Sequence, residues 1–156
     1  MHQNKKLIGY FSEQSRHIVK PLVMKSLFKK IIGGQKNNVP QHIKETLDQV
    51  FNNPTSIEWA FRENYYEALF YQDKLENIAK IDLEGKIFEY RINQPLKQMP
   101  DPVRASAVEH GEIMNCISIH LKDQEPLYEI IIRDKNHDRS VLLIKASGEY
   151  ISQIKL

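Results

Sequence analysis

Catalysis or metal binding needs side chains that converge, and the candidates in this chain are few. Six histidines stand at positions 2, 17, 42, 110, 120 and 137, scattered too widely to make a ligand set by sequence alone. His120 falls on the polar side of an alternating run, where a solvated surface position is expected. Asp82 and Glu84 flank one glycine turn, and Asp134, His137 and Asp138 crowd another turn. Their oxygens could hold a hard cation. No calcium-loop spacing is present, however, and turns recruit Asp and Asn for local backbone hydrogen bonds. No metal site is assigned. Cys116 is the single cysteine, which excludes an internal disulfide and a cysteine-based zinc cluster. With no charge cluster beside it, an inert though oxidisable thiol on the polar side of its strand is expected. The six glycines adjoin only at Gly33-Gly34, so no phosphate loop or dinucleotide turn can be built, and the nucleophile-elbow and zinc-protease patterns are also missing. No catalytic residue and no cofactor is assigned, and an enzyme is not expected.

Aromatic residues are the distinctive feature. Nine of the fourteen lie between residues 51 and 90, so they crowd one part of the chain. Strand alternation cannot bury them all, because Tyr65 and Tyr71 share one side of their strand while Tyr66 and Phe70 share the other. Trp59, Tyr65, Tyr71 and Tyr90, with Arg62 and Glu67 beside them, therefore form a candidate protein-binding face, where rigid aromatics give contact area at low entropic cost. The alternative is that cross-strand tyrosines stabilise a solvated sheet.

The elements that must position these residues repeat. Ile43, Leu47, Val50 and Phe51 recur at helical spacing in "QHIKETLDQVFNN". Four strands follow in "IEWAFRE", "YYEALFYQ", "ENIAKIDL" and "KIFEYRI", with turns at Glu63-Asn64, near Asp73-Lys74 and at Glu84-Gly85. From Met99-Pro100 the order restarts: a short helix with Val103, Ala107 and Val108 as its core, then "NCISIHLKD", "LYEIIIRD", "RSVLLIKA" and "EYISQIK". The offsets are 60 residues from Pro40 to Pro100, 62 from Tyr66-Glu67 to Tyr128-Glu129, and 63 from Gly85 to Gly148. The expected fold is α+β, with two tandem repeats, 39–94 and 95–156, each one helix plus a four-stranded antiparallel sheet. One sheet face would be covered by helices and the other left free for a partner.

Residues 1–38 carry eight Lys or Arg against Glu13 alone, a net of 8 − 1 = +7, while the remainder carries 14 − 19 = −5. Within this basic head, "PLVMKSLFKKIIGG" sets Leu22, Val23, Met24, Leu27, Phe28, Ile31 and Ile32 on one helical stripe, with Lys25, Lys29 and Lys30 opposite. This amphipathic helical extension is a candidate docking element. Its stripe could pack on the protein's own body, on a second copy, on a partner assembly, or peripherally on a membrane surface through residues 20–32. Nucleic acid is a poor fit, because no aromatic-and-arginine platform accompanies the lysines. "LIGYF" is too short for a signal-peptide core. The expected location is thus cytoplasmic or peripheral on the inner face of the membrane, and periplasmic if a cleaved signal precedes the numbered chain.

The succession "IEWAF", "YYEALF", "IAKIDLEGKIFE", then "MPDPV", "LYEIII" and "LLIKASGEYIS" resembles the β-lactamase-inhibitor-like, PepSY-like proteins of Bacteroidota, over about residues 39–156. The resemblance implies helix-plus-sheet repeats and a non-enzymatic module that presents a concave sheet surface to another protein. Family members usually carry an export signal, which this sequence does not display. The class that follows is an adaptor, accessory subunit or inhibitor-like binding protein. A small-ligand or peptide sensor using the groove between the repeats is the alternative.

Overall fold

The computed structural model describes residues 38–156. The docking-helix residues Leu22, Val23, Lys25, Leu27, Phe28, Lys29, Lys30 and Ile31 lie outside the described residues. Two α-helices and eight strands are described: α1 (Gln41–Val50), β1 (Thr55–Arg62), β2 (Tyr65–Gln72), β3 (Leu75–Asp82), β4 (Ile87–Gln94), α2 (Asp101–Val108), β5 (Glu112–Leu121), β6 (Leu127–Arg133), β7 (Arg139–Lys145) and β8 (Tyr150–Lys155). A short 3₁₀ turn, Leu96–Gln98, leads into α2.

Both helices start on a proline whose carbonyl takes the first helical bonds. Pro40 accepts from Ile43 and Lys44, and Pro100 accepts from Arg104. In α1 Ile43 and Leu47 are fully buried, and Phe51, also buried, closes the helix by donating its N–H to the Leu47 carbonyl, but Val50, expected in the same core stripe, is corrected to an exposed position. In α2 Val103 and Ala107 are buried, as their i, i+4 spacing requires, but Val108 is 56% exposed. The expected core role of Val108 is corrected: one residue beyond Ala107 is a turn of about 100°, which carries it off the stripe.

All eight strands join one antiparallel sheet in the order β1 to β8. This differs from the expected pair of four-stranded sheets. β4 and β5 pair from Glu89 opposite Leu121 to Gln94 opposite Cys116, which fuses the two sets of strands into one surface. Both helices lie on the same face. Beneath α1 sit Ala68, Phe70, Ala79 and Ile81; beneath α2 sit Cys116, Ile130, Leu142 and Ile144. Each fully buried Phe, Leu or Ile is worth about 1.5–3 kcal/mol relative to an exposed one.

The repeated glycines have a common task. Gly85 (φ +85°) and Gly148 (φ +88°) hold left-handed backbone in the hairpins β3–β4 and β7–β8. Each hairpin tip also presses on the start of a helix. A Cβ at Gly85 would lie 3.3 Å from His42 and Thr46 of α1, and one at Gly148 would lie 2.7 Å from the Pro102 carbonyl oxygen of α2. Thr46 Oγ1 fastens the first contact by donating to the Gly85 carbonyl at 2.9 Å.

The face opposite the helices is not bare. Ile117, Ile119, Leu127 and Leu143 are buried there, with Leu121 and Ile151 partly buried against them, and the described members of this cluster are all strand residues.

Candidate functional site

Register decides which of the candidate residues can act together. Trp59 pairs with Ala68, and Ala68 with Ala79, which pairs in turn with Tyr90, so all four point to the helix-bearing face. There Trp59 and Tyr90 pack partly buried against the α1 cluster. Arg62 pairs with Tyr65, and the alternation of β2 sets Tyr65, Glu67 and Tyr71 on the opposite, helix-free face. The six candidates thus divide: Arg62, Tyr65, Glu67 and Tyr71 stand together, and Trp59 and Tyr90 lie across the sheet from them.

Each member of the helix-free group makes a polar or aromatic contact with a neighbour on that face, and Arg62 with Glu67 is a contact within the group. Arg62 meets Glu67 at 3.4 Å, and the Tyr71 hydroxyl donates to Glu76 at 3.2 Å. Tyr65 meets Phe88 edge-on at 5.5 Å, and the Lys80 ammonium stands 5.9 Å from the Tyr65 ring centroid. Burial, reinforced by the Glu67 carboxylate, lifts the Tyr65 phenol above its ordinary range, while burial and the Glu76 carboxylate lift Tyr71. Both hydroxyls therefore remain protonated hydrogen-bond donors at neutral pH.

Next to this group lies a charge network that strand alternation alone does not single out. Glu89 accepts from Arg91 Nε at 2.7 Å and meets Lys80 Nζ at 2.8 Å, and Arg91 Nη1 stands 3.5 Å from Glu129 Oε2. Glu89, Arg91 and Glu129 are 5%, 6% and 3% exposed, so this is an interior ion cluster. Its two carboxylates respond in opposite senses. Burial pushes Glu89 up, but Arg91 and Lys80 together outweigh it and hold the carboxyl below its usual range. Burial dominates at Glu129, which Arg91 only partly offsets, and its carboxyl is raised. Glu129 Oε2 has no hydrogen-bond partner among the described residues. The signal available in sequence was the character of β6 and β7: "LYEIIIR" and "RSVLLIK" are apolar on both sides, the pattern of strands buried on both faces.

On the helix side, β4 and β5 run between α1 and α2. Tyr90 and His120 stack there with centroids 4.4 Å apart and planes 2° from parallel. Gln94 Nε2 donates to Ser118 Oγ at 3.0 Å, and His120 Nε2 lies 3.0 Å from the same oxygen. Ser118 Oγ can donate to His120 Nε2 or accept from it, according to the ring's tautomer. Burial lowers the His120 pKa and favours the neutral ring. The surface position expected for His120 is therefore corrected to a half-buried one. Ser118 is 1% exposed and no described carboxylate orients the imidazole, so the pair lacks the access and the third member of a nucleophilic triad. Cys116 is likewise corrected: it is fully buried under α2, not on a polar side.

The acidic turns are occupied by their own backbone. Asp82 Oδ1 accepts from the N–H groups of Glu84 and Lys86, and Asp134 Oδ1 from those of Asn136 and Asp138. Among the described residues no group of three or more His, Cys, Asp or Glu side chains converges as a metal site, and no described helix is long and apolar enough to cross a membrane.

No family model matches the chain, and no curated protein does. Solved structures do share its fold. A DUF2874 family protein from Bacteroides uniformis ATCC 8492 superposes with a TM-score of 0.67 at 16% identity, over 74% of this chain and 88% of that one. A BLIP-like protein from Bacteroides fragilis NCTC 9343 gives 0.65 at 15% identity, over 75% and 86%. A Bacteroides eggerthii DSM 20697 protein, provisionally described as periplasmic, gives 0.69 at 16% identity, over 76% and 90%. At these identities the likeness is one of fold: α+β, with the BLIP-like arrangement of helices on an antiparallel sheet.

Proposed function

We propose that the protein is a non-catalytic interaction module, an adaptor, accessory subunit or inhibitor-like binding protein. The observation that carries this reading is the grouping of Tyr65, Tyr71, Arg62 and Glu67 on the helix-free side of β1 and β2, two aromatic donors set between charges of both signs. The fold shared with a BLIP-like protein supports it. Trp59 and Tyr90 contribute from behind, fixing β1 and β4 against α1. In this reading residues 39–94 and 95–156 are two PepSY-like repeats whose strands have merged into one sheet, and the basic extension 1–38 adds a second contact, on a partner assembly or a membrane surface. The compartment follows the partner: the cytoplasm or the inner face of the membrane, or the periplasm, to which one protein of like fold is provisionally assigned.

The experiment is affinity capture from native cells with the full chain and with a Tyr65→Ala/Tyr71→Ala variant, analysed in soluble and detergent-extracted fractions. A stoichiometric partner held by the parent and lost by a variant of unchanged thermal stability is the expected result. A partner held equally by both overturns the assignment of the patch.

A second reading is carried by the Tyr90–His120 stack and the buried Ser118–Gln94 pair between the helices: a ligand or peptide sensor on the helix side. It predicts a thermal shift with a small molecule that a His120→Ala variant loses.

A further inference from the structure

The helix-free face poses a question of physical accounting. Leu69, Ile78, Ile117, Ile119, Leu127 and Leu143 all point to it and are between 0% and 9% exposed. Both described helices lie on the other side of the sheet, and among the described residues the cluster formed here contains strand residues only. Apolar side chains on an uncovered antiparallel face stay in contact with water. Burial this complete requires a layer above them.

We propose that the chain's own segment 21–32 supplies that layer, docking as a helix across the helix-free face of its sheet. Four features of the chain agree on this occupant. The first is length. Twelve helical residues span about 18 Å. The row Leu69, Ile78, Arg91, Ile119 and Leu127 crosses five consecutive strands, β2 to β6. Four spacings of about 4.8 Å make that row about 19 Å long.

The second feature is chemistry. At helical spacing Met24, Leu27, Phe28 and Ile31 would form an apolar stripe of the kind that seals such a row, with lysines at 25, 29 and 30 left over for the margin. The third is charge. The segment belongs to a head of net +7 and would lie on a body of net −5, where Glu58, Glu67 and Glu76 flank the near end of the row. The fourth is reach. Six residues, Gly33 to Asn38, separate the segment from Val39, a stretch of chain that could span at most about 20 Å. That is the distance between the layers above and below a sheet at about 10 Å per layer.

The seat borders the partner patch, since Leu69 lies between Glu67 and Tyr71 on β2, and it replaces the outward contact read above for the basic extension: a stripe seated on its own sheet cannot lie on a membrane or an assembly at the same time. The test is a photo-crosslinking benzophenone side chain introduced at Phe28 of the full chain, irradiated at low micromolar concentration, with the products mapped by peptide mass spectrometry. A monomer-mass product joined to peptides of β2–β6 through helix-free-face residues is the expected result. The same probe at Lys29, on the opposite side of the segment, should react at least about tenfold less with those peptides. Crosslinks in a dimer-mass product assign the face to a second copy and overturn the proposal. Crosslinks to α1 or α2, or none above the Lys29 control, overturn it as well. None of these outcomes alters the Tyr65/Tyr71 capture result, so the two readings fail separately.

Discussion

Arg91 is the cation shared by two buried carboxylates, and its replacement by methionine tests whether the helix-free face is a true interior. The side chain is 7% exposed, against 6% for Glu89 and 4% for Glu129. In Arg91→Met, Glu89 retains Lys80 at 2.8 Å, but Glu129 loses the nearest cation the described residues provide. Breaking one partner out of a buried ion pair costs about 3–5 kcal/mol. With a urea m-value on the order of 2 kcal/mol per molar, the unfolding midpoint should fall by roughly 2 M.

The pH profile gives a second reading of the same change. Glu89, held below its unfolded pKa, contributes stability that is present above the unfolded value and lost as pH falls through the folded one. Glu129, raised, has the opposite sign: folding loses stability as pH climbs from its unfolded pKa through its folded pKa. Removing Arg91 weakens the first contribution and deepens the second, so the deficit of the variant should grow between pH 4 and pH 7, every tenfold change in a carboxyl's acidity being worth about 1.4 kcal/mol. Adding Glu129→Leu to Arg91→Met should recover part of the loss. The assay is urea unfolding followed by Trp59 fluorescence at both pH values. A deficit below about 1 kcal/mol at pH 7, the range of exposed ion pairs, or one that does not vary with pH, refutes the reasoning.

Both hairpin glycines should resist substitution, and unequally. Gly85→Ala and Gly148→Ala each incur about 1–2 kcal/mol for left-handed backbone. Gly148→Ala should cost about 1–3 kcal/mol more, because its Cβ meets the Pro102 backbone at 2.7 Å while that of Gly85 meets yielding side chains at 3.3 Å; equal midpoints in thermal unfolding would contradict this. Burial pushes the Cys116 thiol up from 9.0 to about 11, so at pH 8 its reaction with a disulfide reagent should run about 100-fold slower in native than in urea-unfolded protein. Native labelling at the unfolded rate would show that α2 does not seal it.

Strand placement was legible because alternation and turn residues agree. Glu63-Asn64 and Asp73-Lys74 fall between strands as read, and Gly85 and Gly148 adopt the positive φ their positions require. Alternation also placed Tyr65 with Tyr71. What it could not supply is the register between strands, which separates Trp59 and Tyr90 from those tyrosines. The pairing of β4 with β5 was hidden for a related reason. A break between apparent repeats looks the same in sequence whether the flanking strands join or part. His120 and Cys116 were misplaced because alternation names two sides without saying which is covered, and polar residues of β5 point under the helices as its apolar residues point away. Glu89 and Arg91 share β4, but Lys80 comes from β3 and Glu129 from β6, so the cluster depends on three pairings at once.

The sheet order β1 to β8 bears on how the chain reaches its folded state. Every strand hydrogen-bonds only to its immediate neighbours in sequence, so loop closure at each step is short and contact order is low for so much β-structure. Pairing can advance strand by strand as the polypeptide leaves the ribosome, with no early strand waiting for a distant one. It also leaves two ends at which the ladder can open, β1 and β8. Amide exchange should accordingly be slowest in β4 to β6 and quicken outward in both directions, a zipper that frays from its ends.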